Sequence, residues 1–229
     1  MKILQMIAVL VVVPLSAFGY TFDRNVPENI RTQITEDMNF ISQISGGEAS
    51  YLHGQIFGAE VTGAAYQQFF ESRVHAVGMN NCGSSNAVAC VIPWRGSSKI
   101  WLTQNYVRFE HPEIARLMIV FHEARHTEVD NGNWAHATCP VPFVDENGEE
   151  IKSIWTGATL AGEPACDDNP WGSYASSMIM LKNISKFCTN CTEKVLMDAG
   201  IYADDQFKRV VNEEAKQAIL QDLYATSKI

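Results

Sequence analysis

A short run of ionisable side chains lies near the middle of the chain, in the order His122-Glu123-Ala124-Arg125-His126. Residues four apart lie on the same face of a helix, so His122 and His126 can present their imidazoles to one ion. Imidazole nitrogen is a common ligand of Zn²⁺, and zinc lowers the pKa of a water molecule to about 7. We expect Glu123 to act as the general base that takes a proton from that water, without being a ligand itself. The spacing therefore predicts a zinc site with hydrolytic chemistry.

The third metal ligand is less well defined by the sequence, and three residues are candidates. Asp130 lies four residues after His126 and would stay on the same face if the helix continued. His136 follows the turn at Gly132 and can fold back, whereas Glu163 would have to approach from a second element. We predict His136, because imidazole is the commonest ligand type and a glycine turn precedes it. Asp130 and Glu163 remain alternatives.

The segment from His122 to His136 resembles the metzincin layout of the zincin metallopeptidases, in which a glycine turn brings a third histidine to the metal. That layout is H-E-x-x-H-x-x-G-x-x-H, and the loop before His136 is about four residues longer here. The resemblance implies an α+β, zincin-like fold in which a small sheet packs on a central, motif-bearing helix with further helices. It also implies a Zn²⁺ cofactor and a peptide or protein substrate.

Two further expectations concern the surroundings of the metal. A hydroxyl can stabilise the oxyanion that develops at a scissile carbonyl, and Tyr174, at the start of a predicted helix, is our candidate for this catalytic role. Glu128, Asp130 or Asp167 can orient a ligand imidazole through its other ring nitrogen. The resemblance further implies that an edge strand of the sheet pairs with an extended substrate.

Periodicity and turn residues outline the elements that must position these side chains. We predict a buried helix that opens at Pro112, carries the motif and stops at Asn131-Gly132-Asn133. Residues 131–172 are expected to be irregular, and a loop of that length in a compact domain is usually functional. The other predicted helices span residues 29–44, 64–72, 173–187 and 204–224, and the predicted strands span residues 74–79, 88–92 and 99–107. Either of the last two strands would supply the substrate-pairing edge.

The N-terminus and the cysteines indicate an exported protein. Residues 1–19 combine one lysine, a short apolar run and small residues at the end, which is typical of a signal peptide. We expect residues 20–229 to form one domain that is stabilised by disulfide bonds, and we expect the protein to be secreted or periplasmic. The six cysteines allow fifteen pairings, and proximity in sequence favours Cys82–Cys90 and Cys188–Cys191, which leaves Cys139 with Cys166. An alternative interpretation, in which cysteine thiolates bind zinc, is weaker, because the sequence contains no second C-x-x-C pair besides Cys188-x-x-Cys191.

The formal net charge of −9 disfavours nucleic acid as a partner, because phosphates would be repelled. No apolar run after the leader is long enough to span a membrane, so we expect no stable membrane insertion after its removal, and we expect a monomer.

The leading functional hypothesis is a secreted zinc-dependent peptidase. One alternative is a zinc-dependent hydrolase of cell-wall peptides, which rests on export and small size. Another is a non-catalytic secreted domain with a structural zinc site, which a fourth protein ligand at Asp130 would favour. A resemblance to peptide deformylase, with Cys82 or Cys90 as a ligand, is disfavoured by the leader and the even cysteine count.

Overall fold

The structure is a computed structural model that describes residues 19–224. The predicted signal peptide lies outside the described residues except for Gly19, and so do residues 225–229. In the described range, no helix is both long and apolar enough to cross a membrane. The fold is of mixed α+β class, with a small sheet, several helices and three disulfide bonds.

One short strand and three helices come first, three strands and two helices follow up to the end of the motif, and within residues 19–224 the elements after it are helices. Residues 19–224 contain four strands and eight α-helices, in the chain order β1 (Thr21–Phe22), α1 (Glu28–Ser42), α2 (Tyr51–Ile56), α3 (Gly63–Glu71), β2 (Ala76–Met79), β3 (Ala89–Val91), β4 (Lys99–Leu102), α4 (Gln104–Arg108), α5 (Glu113–His126), α6 (Ser173–Phe187), α7 (Glu193–Lys208) and α8 (Glu213–Tyr224). Short 3₁₀ helices span Pro93–Arg95 and Val129–Trp134.

The sheet has the order β1-β2-β4-β3. Strands β1, β2 and β4 run parallel, and β3 pairs antiparallel with β4 in the register Cys90 opposite Trp101. Alternate residues of β4 are buried, Ile100 and Leu102 among them, because successive side chains point to opposite faces. Because β3 is last in the strand order, it forms an edge of the sheet, whereas β4 lies between β2 and β3.

Helix α5 forms the centre of the protein. Pro112 precedes it and Glu113 lies in its first turn, both favourable at a helix start. Its side chains from Ile114 to Arg125 are mostly buried, and Phe121 packs among three aromatic rings of α3 and that of Phe57, the residue after α2. A helix that is buried on most of its faces holds the motif side chains rigidly against the sheet on one side and α6 on the other.

Three predicted elements are wrong in extent. The motif helix, predicted to stop at Asn131-Gly132-Asn133, ends at His126, because the backbone of Glu128 leaves helical geometry at ψ 82° before the short 3₁₀ helix begins. The strand predicted over residues 99–107 ends at Leu102, because the Thr103 hydroxyl accepts a hydrogen bond from the Asn105 backbone and starts α4. The helix predicted over residues 204–224 is two helices that are separated by residues 209–212, where Val210 forms a bridge with Asp167. Helix α2 and most of α7 were not predicted.

All three predicted disulfide pairings are confirmed: Cys82–Cys90, Cys139–Cys166 and Cys188–Cys191. Such bonds are typical of proteins outside the cytoplasm. Because no described cysteine is free, none of the six is a candidate metal ligand. The hypothesis of a deformylase-like site, which needs Cys82 or Cys90 as a thiolate ligand, is therefore not supported.

Candidate metal centre

Three imidazoles meet at one point of the structure. The Nε2 atoms of His122, His126 and His136 lie 3.1–3.2 Å from one another, which makes this cluster a group that can hold a metal ion. Two nitrogens that are each bound at about 2.0–2.1 Å to a tetrahedral ion are separated by roughly 3.3 Å. The triangle formed by the three nitrogens therefore has the dimensions of a coordination site.

The other ring nitrogens are occupied by acceptors, which fixes the tautomers. His126 Nδ1 donates to the Asn133 carbonyl at 2.7 Å, and His136 Nδ1 donates to Asp167 at 3.1 Å. His122 has a hydrogen bond to the backbone of Ser173. A neutral imidazole that carries its proton on Nδ1 has a lone pair on Nε2. Three lone pairs would then face one another, an arrangement that a cation stabilises and that hydrogen bonding within the cluster cannot satisfy.

Burial keeps two of these rings in the ligating form. It lowers the pKa of His122 well below the ordinary range, and the neighbouring imidazoles lower it further. Burial also lowers the pKa of His126 to about 3, with a further contribution from His136. Neutral imidazole is the form that binds a metal.

Glu123 lines the same cavity as the three imidazoles. Its side chain is buried, and its Oε2 atom has no hydrogen-bond partner within residues 19–224. Burial raises the pKa of Glu123 to about 8. An unpaired buried carboxyl group is costly in a purely structural role. At neutral pH this group keeps its proton, and a cation held by the imidazoles would lower its pKa and let it act as a proton acceptor.

The cavity is about 440 Å³ in volume, which is within the range of small-molecule sites. One wall is the edge strand β3 with its flanking residues, and another is the irregular segment that includes Ile154, Trp155 and Leu160. The exposed residues Ser84 and Pro93 mark its opening. The three imidazoles therefore lie in an open cavity, one wall of which is a sheet edge that pairs with no further strand within residues 19–224.

The loop after α5 explains how His136 returns to the cluster over ten residues. Gly132 and Asn133 have positive φ angles of 63° and 56°, so the chain reverses in the left-handed region. Asn133 then binds His126 twice, by accepting from Nδ1 and by donating to the backbone carbonyl. The predicted glycine turn is present, and Asn133 also takes part in it.

Glu128 holds the same loop from outside the cluster. It accepts hydrogen bonds from Arg125, Arg73 and the Trp134 indole. Burial alone would raise the pKa of Glu128, but the indole hydrogen bond and the two guanidinium groups lower it. Glu128 is therefore a half-buried anion that anchors the loop, and these partners include none of the three imidazoles.

Asp167 is the predicted candidate that contacts one of the three imidazoles. Its Oδ1 accepts from His136, and its Oδ2 accepts from the backbone N–H of Ala175 in the first turn of α6. Gly172 packs so closely that a Cβ atom there would lie 2.2 Å from Oδ2. The backbone pairing of Ala137 with Cys166 brings Asp167, the residue after Cys166, next to His136, the residue before Ala137.

Tyr174 lies against the cluster, as expected for a residue at the start of α6. The centre of its ring is 4.4 Å from that of His122 and 4.5 Å from that of His136, with the latter pair stacked. Burial raises the pKa of Tyr174, whereas the charge and a hydrogen bond of Arg209 lower it. Sequence reasoning missed Arg209, which gives no local signal because it reaches the cavity from the end of α7.

The two alternative third ligands lie elsewhere. Asp130 is exposed on the loop, and Glu163 is exposed at the rim of the cavity; neither belongs to the metal-binding group. A comparison of the chain with models of protein families, curated proteins and solved structures finds no match. The function must therefore be inferred from the chemistry of the site.

Proposed function

We propose that this protein is a secreted zinc-dependent peptidase in which His122, His126 and His136 hold the metal. The observation that supports it best is the convergence of three Nε2 lone pairs beside the unpaired carboxyl group of Glu123, within one open cavity. Imidazole ligands suit zinc among other transition metals, and the resemblance of the motif to zincins favours zinc.

The roles of the chain's own residues follow from their positions. Zinc, when bound, would polarise a carbonyl and lower the pKa of water. Glu123 accepts a proton from the attacking water and delivers it to the leaving amine. Tyr174 is suited to stabilise negative charge on the carbonyl oxygen, because it is packed against two of the ligand imidazoles.

The substrate is proposed to be a peptide because one wall of the cavity is the edge of a β-sheet. Residues 89–91 form an unpaired edge of the sheet and line the cavity. A strand edge offers backbone donors and acceptors to an extended chain irrespective of its sequence. The openness of the cluster argues against a structural zinc site with four protein ligands, for which Asp130 would be needed.

The decisive variant is Glu123→Gln. We expect it to bind zinc with nearly wild-type affinity and to cleave a library of fluorogenic peptides at a rate reduced at least 10²-fold, since general base catalysis contributes about 10²–10⁴-fold. A matched control is Glu163→Gln, which changes an exposed carboxylate at the rim. Wild-type turnover in Glu123→Gln would refute the mechanism. Zinc binding by the wild type without any cleavage of peptides would favour the non-catalytic alternative.

Cell-wall peptides are a narrower version of the same proposal. It predicts release of soluble fragments from purified peptidoglycan by the wild type and not by Glu123→Gln. Release of no fragments, with cleavage of ordinary peptides, would exclude it and leave the peptidase proposal intact.

A further inference from the structure

Arg209 places a positive charge in the wall of the metal cavity. It is the only lysine or arginine that lines the cavity within the part of the chain that the structure describes. The residue is 6% exposed and caps the C-terminal end of α7. A buried cation in a cavity of an otherwise acidic protein selects for negative charge in whatever enters.

The guanidinium group of Arg209 has few partners. It offers five N–H donors, yet its nearest carboxylate oxygen, on Asp205, is 3.8 Å away, which is beyond hydrogen-bond distance. Its Nε atom has no hydrogen-bond partner in residues 19–224. Among residues 19–224 the guanidinium group also contacts Tyr174, whose ring centre lies 4.6 Å from the guanidinium carbon and whose hydroxyl accepts a hydrogen bond. Buried donors without acceptors are costly, so this group is suited to a ligand that supplies them.

The location of Arg209 relates that ligand to the reaction centre. Tyr174 is the shared neighbour of Arg209 and of the imidazoles of His122 and His136. An extended peptide advances about 3.3–3.6 Å per residue. A group held by Arg209 therefore belongs to a residue close to the one whose carbonyl lies at the imidazoles. Gln206, also buried, lines the same wall, so this side of the cavity is closed.

We propose that Arg209 binds a carboxylate of the peptide substrate and thereby determines specificity, an inference that rests on the proposed peptidase function. A planar guanidinium pairs with a carboxylate through two parallel hydrogen bonds, which a lysine cannot reproduce. The carboxylate comes either from the C-terminus of the peptide or from an aspartate or glutamate side chain. The two sources share one chemistry and differ in the substrates that they predict.

Three related peptides separate these sources: a free acid, the C-terminal amide of the same sequence, and a variant of that amide with glutamate next to the terminus. We expect the wild type to prefer a carboxylate-bearing peptide over the neutral amide by roughly 10- to 100-fold in kcat/KM. Arg209→Met should bring that ratio close to one, and Arg209→Lys should retain part of it. Lys208→Met, which removes an exposed charge next in sequence, should keep the wild-type ratio. Equal losses on all three peptides would overturn the proposal and assign Arg209 to oxyanion stabilisation. A wild type without any preference would also overturn it.

A binding measurement makes the result independent of turnover. Calorimetry on the metal-free protein compares N-acetylphenylalanine with its amide, and circular dichroism checks that each variant is folded. We expect the acid to bind the wild type at least tenfold more tightly than it binds Arg209→Met. Binding of this kind without cleavage of any peptide would support the carboxylate site and refute the peptidase. Cleavage of peptides with no acid binding and no preference would refute the carboxylate site alone.

Discussion

Replacing Asp167 with asparagine tests whether the metal site depends on a partner that never touches the metal. Both carboxylate oxygens of Asp167 are acceptors: one receives the His136 Nδ1–H at 3.1 Å, and the other receives the Ala175 N–H at 3.0 Å. An asparagine side chain offers one acceptor oxygen and one NH₂ donor. Whichever way the amide turns in Asp167→Asn, a donor faces a donor, so either the imidazole or the start of α6 loses its partner.

The expected size of the effect follows from these contacts. Loss of an outer partner of a ligand histidine typically weakens metal binding by about 10–100-fold, which corresponds to about 1.4–2.7 kcal/mol. Loss of a hydrogen bond to a charged group costs about 1.5–3 kcal/mol, which agrees. The backbone of Asp167 remains paired with Arg209 and Val211, so we expect the variant to stay folded.

The assay is competition for zinc with a chromophoric chelator at neutral pH. Asp168→Asn is the matched control, because it makes the same chemical change on an exposed neighbour. Gly172→Ala reaches the same carboxylate from the other side, since the added Cβ would lie 2.2 Å from Oδ2, and it should also weaken binding. If Asp167→Asn held zinc within twofold of Asp168→Asn, Asp167 would not orient His136, and our account of the third ligand would be wrong.

Two further predictions concern the frame around the site. Removing the Cys139–Cys166 bond by Cys139→Ala with Cys166→Ala should cost about 3–4 kcal/mol for a loop of 27 residues. It should also weaken zinc binding, because the bond holds the segment that follows His136 next to Asp167. Cys188→Ala with Cys191→Ala, which opens a loop with a separation of only 3, should cost less in urea unfolding and leave zinc affinity unchanged, and equal zinc affinities in the two variants would contradict this role. Burial lowers the pKa of His53 to about 4, against an ordinary value of about 6.5. Between pH 6.5 and pH 4, therefore, the imidazole of His53 is protonated in the unfolded chain and neutral in the folded protein. The free energy of unfolding of the metal-free protein should fall by up to about 3 kcal/mol from this residue as the pH is lowered across that range. His53→Gln should show a shallower decline than the exposed-site control His75→Gln, and parallel declines would show that His53 is not the cause.

The parts of the site that could be predicted are those encoded by local spacing. His122 and His126 are one helical turn apart, and a helix of apolar residues after Pro112 was enough to place them. His136 could be proposed from its glycine turn, although the turn also needs Asn133 in the left-handed region. Tyr174 was placed by the start of α6, which was predicted at its observed boundaries.

The rest depends on contacts between distant segments, which carry no local signal. Asp167 was one of three carboxylates with equal claims, and it was selected by the pairing of Ala137 with Cys166. Arg209 reaches the cavity because α7 ends there, and α7 itself was missed over most of its length. Its start has a signal that reasoning could have used: the Thr192 side chain caps the helix by accepting from Val195.

The central claim is that three imidazole nitrogens bind one zinc ion. X-ray absorption at the zinc edge, on protein loaded with one equivalent of zinc and then dialysed, measures the ligand type and distance directly. We predict one retained zinc per chain with three histidine nitrogens at about 2.0–2.1 Å, and a loss of one of the three in His136→Ala. A protein that retains no zinc, or a spectrum that is unchanged in His136→Ala, would contradict the account.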